Sequence, residues 1–204
     1  MFGNIKKMIQ ELSIKIANFM VKRSIISDSD RNLYEFAYLS LIERLISWGT
    51  IIVLGTLFDC FLGSIIFTFS FVPLRIYAGG FHAKVYWKCF LISSITFLIV
   101  IVFFKNIYSH ISTEIILFFL FISIIIIIKK APISDPNRPL NKKEFQNYKL
   151  VTRKILLIET IMIIPTSIYN IHNVFPAFTI IAIILEAFLL VINFNKTKHP
   201  KSDN

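Results

Sequence analysis

The sequence predicts an all-α fold: a polytopic membrane helical bundle of about six transmembrane helices, opened by an amphipathic helix at the membrane interface. Three observations predict it. Hydrophobic residues make up 55% of the 204 positions and mean hydropathy is +0.70, more apolar surface than one aqueous core absorbs, so lipid must solvate most of the chain. The apolar residues gather into six runs, and the 22 Lys and Arg concentrate in alternate connections between those runs. Residues 1–204 therefore read as one membrane-embedded domain.

Residues 1–26 carry no secretory signal, because no compact apolar run with a small-residue cleavage site follows the early lysines. Instead Phe2, Ile5, Ile9, Leu12, Ile16 and Phe19 step by three and four, leaving Lys6, Lys7, Glu11, Lys15 and Lys22 on other faces. Such a helix lies on a membrane surface or packs against the rest of the protein, and the stripe suits either. A polar break at residues 27–32 follows, and then the apolar runs at 36–58, 60–74, 89–104, 113–128, 155–169 and 175–194. Several fall short of the roughly 20 residues that cross a hydrocarbon core, so those helices must borrow neighbouring residues or sit in a thinned bilayer.

Lys and Arg collect in the N-terminal segment, residues 75–88, residues 129–154 and the tail from Lys196, which places those connections and both termini in the cytoplasm. The connections near Asp59, Lys105 to His110, and Asn170 to Asn173 are poor in positive charge and belong outside. Six crossings satisfy every loop. The net charge of +10 suits cytoplasmic loops facing anionic lipid, and with no nucleic-acid-binding motif around the charges a nucleic-acid partner is not expected.

The stretch Arg75-Ile-Tyr-Ala-Gly-Gly-Phe-His-Ala-Lys-Val-Tyr-Trp-Lys-Cys89 carries the chemistry. A thiolate is an effective nucleophile, and a nearby imidazole removes its proton and later protonates a leaving amine, so His82 and Cys89 form the minimal equipment of a cysteine peptidase. Gly79 and Gly80 permit backbone angles and close approaches that a loop admitting an extended peptide needs. Arg75 can hold a carboxylate. His82 and Cys89 are seven residues apart, roughly 10.5 Å along one helix, so a working pair requires the chain between them to depart from one straight helix. The plainer reading is that membrane interfaces collect His, Trp and Tyr, and that a Cys opening a span is small apolar filler. Cys60 reads as inert packing, on the opposite side of the membrane from Cys89. Two separated Cys and four scattered His supply no metal-ligand cluster, and no cofactor is called for.

This segment, with its Ala-Gly-Gly-Phe-His-Ala core and a Cys seven after the His, resembles the signature of the accessory gene regulator protein B family of bacterial quorum sensing. The resemblance extends to the amphipathic start, the six apolar runs, the loop Ala131-Pro-Ile-Ser-Asp-Pro-Asn-Arg-Pro-Leu140 and the basic tail. It implies a membrane endopeptidase of the bacterial cell membrane that cleaves the C-terminal tail from an autoinducer propeptide. Cys89 would be the nucleophile, His82 its base, and a thiolactone or lactone ring the product. It also implies a substrate with an amphipathic leader and an acidic tail. Residues 129–154 hold eight Lys and Arg against Asp135 and Glu144, so Lys129, Lys130, Arg138, Lys142 and Lys143 are candidates for steering that tail. Fixing topology and binding anionic lipid explain the same charges. An orienting partner for His82 is sought among Glu43, an ionisable residue in an apolar run, and Asp135 and Asn137 of the turn-forming loop. A homodimer is expected from the bundle's small size together with the resemblance.

Two other classes of function compete. A peptide transporter would place paired polar groups near the bilayer midplane, whereas the polar chemistry read from the sequence sits at one cytoplasmic edge. A non-catalytic membrane assembly factor would need Cys89 only as packing.

Overall fold

A computed structural model describes residues 2–79, 86–134 and 140–198, with side chains for all of these but 2–6, 86–89, 169 and 194–198. Seven α-helices are described: α1 (Phe2–Lys22), α2 (Arg31–Leu57), α3 (Phe61–Ala78), α4 (Tyr86–Asn106), α5 (Thr113–Lys130), α6 (Lys142–Asn170) and α7 (Val174–Lys198). The chain is an all-α membrane bundle. Each apolar run read from the sequence falls on its own helix, from α2 to α7. Asp28–Leu57, Phe61–Ala78 and Val174–Asn193 are long and apolar enough to cross a membrane, and Phe90–Asn106 is a shorter apolar helix.

Residues 1–50 and 51–204 form two compact units. In the first, α1 buries Ile9, Ser13 and Ala17, four residues apart along one stripe, and leaves Met8, Leu12 and Phe19 exposed on the neighbouring one. The helix thus has a packed face of small side chains beside a free apolar face. The buried face is turned toward Ser13 and Ala17 relative to the stripe expected from hydrophobicity alone, because close packing selects small side chains as readily as apolar ones.

The second unit is organised around α7, which packs against α3, α4, α5 and α6. Residues 177–183 of α7 are buried without a break, and so are Glu186, Ala187, Leu190 and Asn193; a helix buried on all sides is the core of its bundle. Its neighbours bury one stripe each: Gly63, Ser64, Phe67, Ser70, Leu74 and Ala78 on α3, and Ile116, Leu120, Ser123 and Ile127 on α5. Lipid tails are as apolar as these side chains, so van der Waals fit and interhelical hydrogen bonds must drive association, and small residues let backbones approach. Gly63 is one such case, since a β-carbon there would strike the Phe178 ring and the Cys60 sulfur. Cys60 is itself buried beside it, the packing role expected of it.

Asn141 opens α6 with a capping box: its side chain accepts from the Glu144 amide at 2.8 Å, and the Glu144 carboxylate accepts from the Asn141 amide at 3.1 Å. Tyr77 meets Tyr148 edge to face, ring centroids 5.4 Å apart, where α3 meets α6. Just past the end of α4, Tyr108 is buried against Phe103, Phe104 and His172 and donates to the Ile171 carbonyl at 3.4 Å.

Candidate functional site

Arg75 lies in the last turn of α3, where the final carbonyls have no helical partner. Its guanidinium Nη1 turns back to donate to the Gly79 carbonyl at 3.0 Å, a basic side chain closing its own helix terminus. The same nitrogen donates to Glu186 Oε1 at 3.4 Å. The Glu186 side chain is wholly inaccessible and that of Arg75 is 16% accessible, so the pair ties α3 to α7 inside the bundle. The carboxylate that Arg75 holds therefore belongs to the protein itself.

Gly79 shows both properties expected of it. Its φ of +77° is a conformation L side chains rarely adopt, and a β-carbon there would collide with the Ile133 carbonyl. The contact is a parallel bridge between Gly79 and Ile133, in which the Ile133 amide donates to the Ala78 carbonyl at 2.9 Å. Two connections far apart in sequence are thereby joined: the start of the segment that leads to His82, and the start of the basic loop after α5. Farther along that loop, Ser134 Oγ accepts from the Leu140 amide at 2.9 Å.

Cys89 falls in the first turn of α4, which begins at Tyr86. His82 and Gly80 lie outside the described residues, as do Asp135, Asn137 and Arg138; the bend expected between His82 and Cys89 falls there too. Glu43 is half-buried on α2 in the first unit, and its carbonyl accepts from Ser47 Oγ at 3.0 Å. Lys129 and Lys130 close α5, and Lys142 and Lys143 open α6. Lys129, Lys142 and Lys143 are exposed. Among the described residues no three His, Cys, Asp or Glu side chains gather as metal ligands.

Residues 13–192 match the family model described as accessory gene regulator B. The chain belongs to that family. It is 29% identical over 158 residues to an AgrB-like protein of Clostridium perfringens (strain SM101, type A), covering 74% of this chain and 73% of that protein. Identity is 27% over 164 residues to AgrB-like protein 2 of Clostridium perfringens (strain 13, type A), covering 78% and 73%. With accessory gene regulator protein B of Staphylococcus intermedius it is 28% over 143 residues, covering 70% and 72%. No solved structure matches the chain. Membership in the accessory gene regulator B family supports a quorum-sensing role for this membrane protein.

Two acidic residues escaped the sequence reading. Glu186 and Glu159 each interrupt an apolar run, the same signal that drew attention to Glu43, and both are buried. Polar chemistry is thus not confined to one edge of the bundle, because Glu159 sits on a packed face of α6 beside the middle of α3.

Proposed function

We propose that this protein is a membrane cysteine endopeptidase that removes the C-terminal tail of an autoinducer propeptide and closes the remainder into a ring, with Cys89 as nucleophile and His82 as base. What carries this reading is residues 75–89: the Gly-Gly-Phe-His pattern and Cys89 follow directly on a chain segment held by Arg75 and bridged through Gly79 to Ile133. Active sites need reacting groups on a supported backbone, since a displacement of 1 Å can cost 10²-fold in rate. Cys89 in the first turn of α4 sits where peptide dipoles favour an anion.

In the reaction, His82 takes the Cys89 proton and the thiolate attacks the carbonyl at the junction of signal and tail. The tetrahedral adduct collapses as the imidazolium protonates the departing amine, leaving a thioester on Cys89. A thiol or hydroxyl within the bound peptide then attacks that thioester, its proton going to His82 and on to the released Cys89 sulfur. The sum is one propeptide converted to one ring and one tail, with no water consumed. Exchange between thioesters is nearly energy-neutral whereas hydrolysis is downhill, so the site must hold the internal nucleophile close and keep water out. Exposed Lys129, Lys142 and Lys143, with Lys130 and Arg138 of the same connection, would steer an acidic tail. The accompanying topology is six crossings of the bacterial cell membrane with both termini cytoplasmic, in a homodimer.

The test is reconstitution in liposomes with the propeptide encoded beside the gene, comparing wild type with Cys89→Ala and His82→Ala by mass spectrometry of all products. Wild type is expected to release a tail plus a peptide lighter by one water than the linear fragment, and both variants to release neither while inserting normally. Processing by both variants at wild-type rate sinks the mechanism. Export of unprocessed peptide across the liposome would move the transporter reading to the front.

A further inference from the structure

Between α3, α6 and α7 lies a cavity of about 410 Å³, whose lining comes within two residues of Arg75 along α3 and seven of Glu186 along α7. Its walls are apolar except for Glu159, Ser70 and Thr179. Glu159 occupies the inward stripe of α6, in line with the buried Thr152, Leu156 and Ile163. It is 8% exposed, and among the described residues its Oε2 atom has no hydrogen-bond partner. A carboxyl inside an apolar span is costly to keep and marks a functional position by default.

The neighbouring polar groups have a common bias. Ser70 Oγ donates to Thr179 Oγ1 at 3.5 Å, and Thr179 Oγ1 donates to the Phe175 carbonyl at 3.0 Å. Both hydroxyl protons are spent within the protein, leaving lone pairs. Pro73 in α3 has no N–H, so the Phe69 carbonyl lacks its helical partner; both residues line the cavity. The site therefore presents acceptors and no free donor among its hydroxyls. Phe69, Ile158 and Met162, at its rim, are 75%, 57% and 48% exposed, which opens the cavity to the outer face of α3 and α6, where lipid lies.

We propose that this cavity binds a small lipophilic amine entering from the bilayer, its protonated nitrogen on Glu159 and its apolar body against α3 and α6. Charge complementarity selects the cation. Size selects a small molecule, because 410 Å³ falls within the roughly 300–1,000 Å³ of small-molecule pockets and a helix about 10 Å across does not fit.

The probe is octylamine carrying a diazirine on its alkyl chain, photolysed with the full-length protein in nanodiscs, with labelled peptides mapped by mass spectrometry. Wild type is expected to take label on the peptides holding Phe69, Ile158 and Met162, saturably and competed by unlabelled octylamine. In Glu159→Gln that labelling should fall about tenfold, the weight of one charge-assisted hydrogen bond. The matching octyl methyl ether should label both proteins alike. If Glu159→Gln fails to fold, Ile158→Trp, which fills the rim and keeps the carboxyl, is expected to abolish the same labelling. Equal amine labelling of wild type and Glu159→Gln, or label spread over all lipid-facing helices, overturns the site. Displacement of the probe by an apolar single-lysine peptide but not by free octylamine overturns the small-amine assignment.

Discussion

Arg75 and Glu186 stand 3.4 Å apart across the α3–α7 contact, 111 residues apart in sequence, with the carboxylate wholly buried. The same guanidinium nitrogen holds the Gly79 carbonyl, so one side chain links the core of the bundle to the backbone that precedes His82.

Removing one member of this pair strips the other of an opposite charge inside the bundle. Glu186→Leu and Arg75→Met are each expected to destabilise the bundle by about 3 kcal/mol or more, whereas the double variant that combines them should recover most of that loss. Denaturant unfolding in mixed micelles, analysed as a double-mutant cycle, measures the coupling. Additive losses would show that the pair does not act as a unit.

Gly79→Ala forces a β-carbon into the Ile133 carbonyl at a φ of +77° and ψ of −160°, an essentially glycine-only conformation that adds about 1–3 kcal/mol of strain for an L residue even without the clash. The expected result is faster hydrogen exchange at the Ile133 amide and propeptide processing lowered at least tenfold, with membrane insertion intact. Gly49→Ala is the control, because nothing lies within 4 Å of its β-carbon and helix propensity favours alanine by about 1 kcal/mol. Normal processing in Gly79→Ala would remove the bridge from the mechanism.

Asn141→Ala deletes the capping box of α6 and should cost about 1 kcal/mol. The loss is local to the exposed first turn, so exchange protection should drop for the amides of residues 142–145 while α7 stays unchanged. An unchanged first turn would mean that tertiary contacts, and not the cap, hold the start of α6.

Burial holds the Tyr108 hydroxyl well above the ordinary tyrosine value of 10. Above pH 10 the unfolded chain sheds this proton while the folded chain keeps it, so the unfolded state binds fewer protons and stability falls as pH rises. Tyr108→Phe should flatten that decline between pH 10 and 12 and, by losing the bond to the Ile171 carbonyl, lower stability by roughly 1 kcal/mol at neutral pH. A wild-type stability that is level across that range would contradict the burial of the hydroxyl.

Legibility differed between levels. The helices were readable because apolar runs and polar breaks are local: each predicted run sits on one helix, and the break at residues 27–32 falls where α1 has ended and α2 begins. Arg75 and Gly79 were readable as types of residue, one able to hold a carboxylate and one able to take an unusual φ. Their partners were not, since Glu186 and Ile133 lie 111 and 54 positions away and no local pattern links them. Glu159 and Glu186 were visible as acids in apolar runs, yet only packing separates an acid that is paired from one that faces a cavity.

By itself the sequence determined the all-α membrane class and the location of the helices, because lipid admits only backbones satisfied within helices or closed barrels. It also supplied the His82 and Cys89 pattern and the placement of positive charge. The tertiary structure alone decided that α7 is the central helix, that Arg75 is held by Glu186, and that Gly79 meets Ile133. The physical reason is that hydrophobicity does not rank one apolar helix against another in lipid. Shape, small residues and a few buried polar pairs choose the neighbours, and those are relations between distant residues.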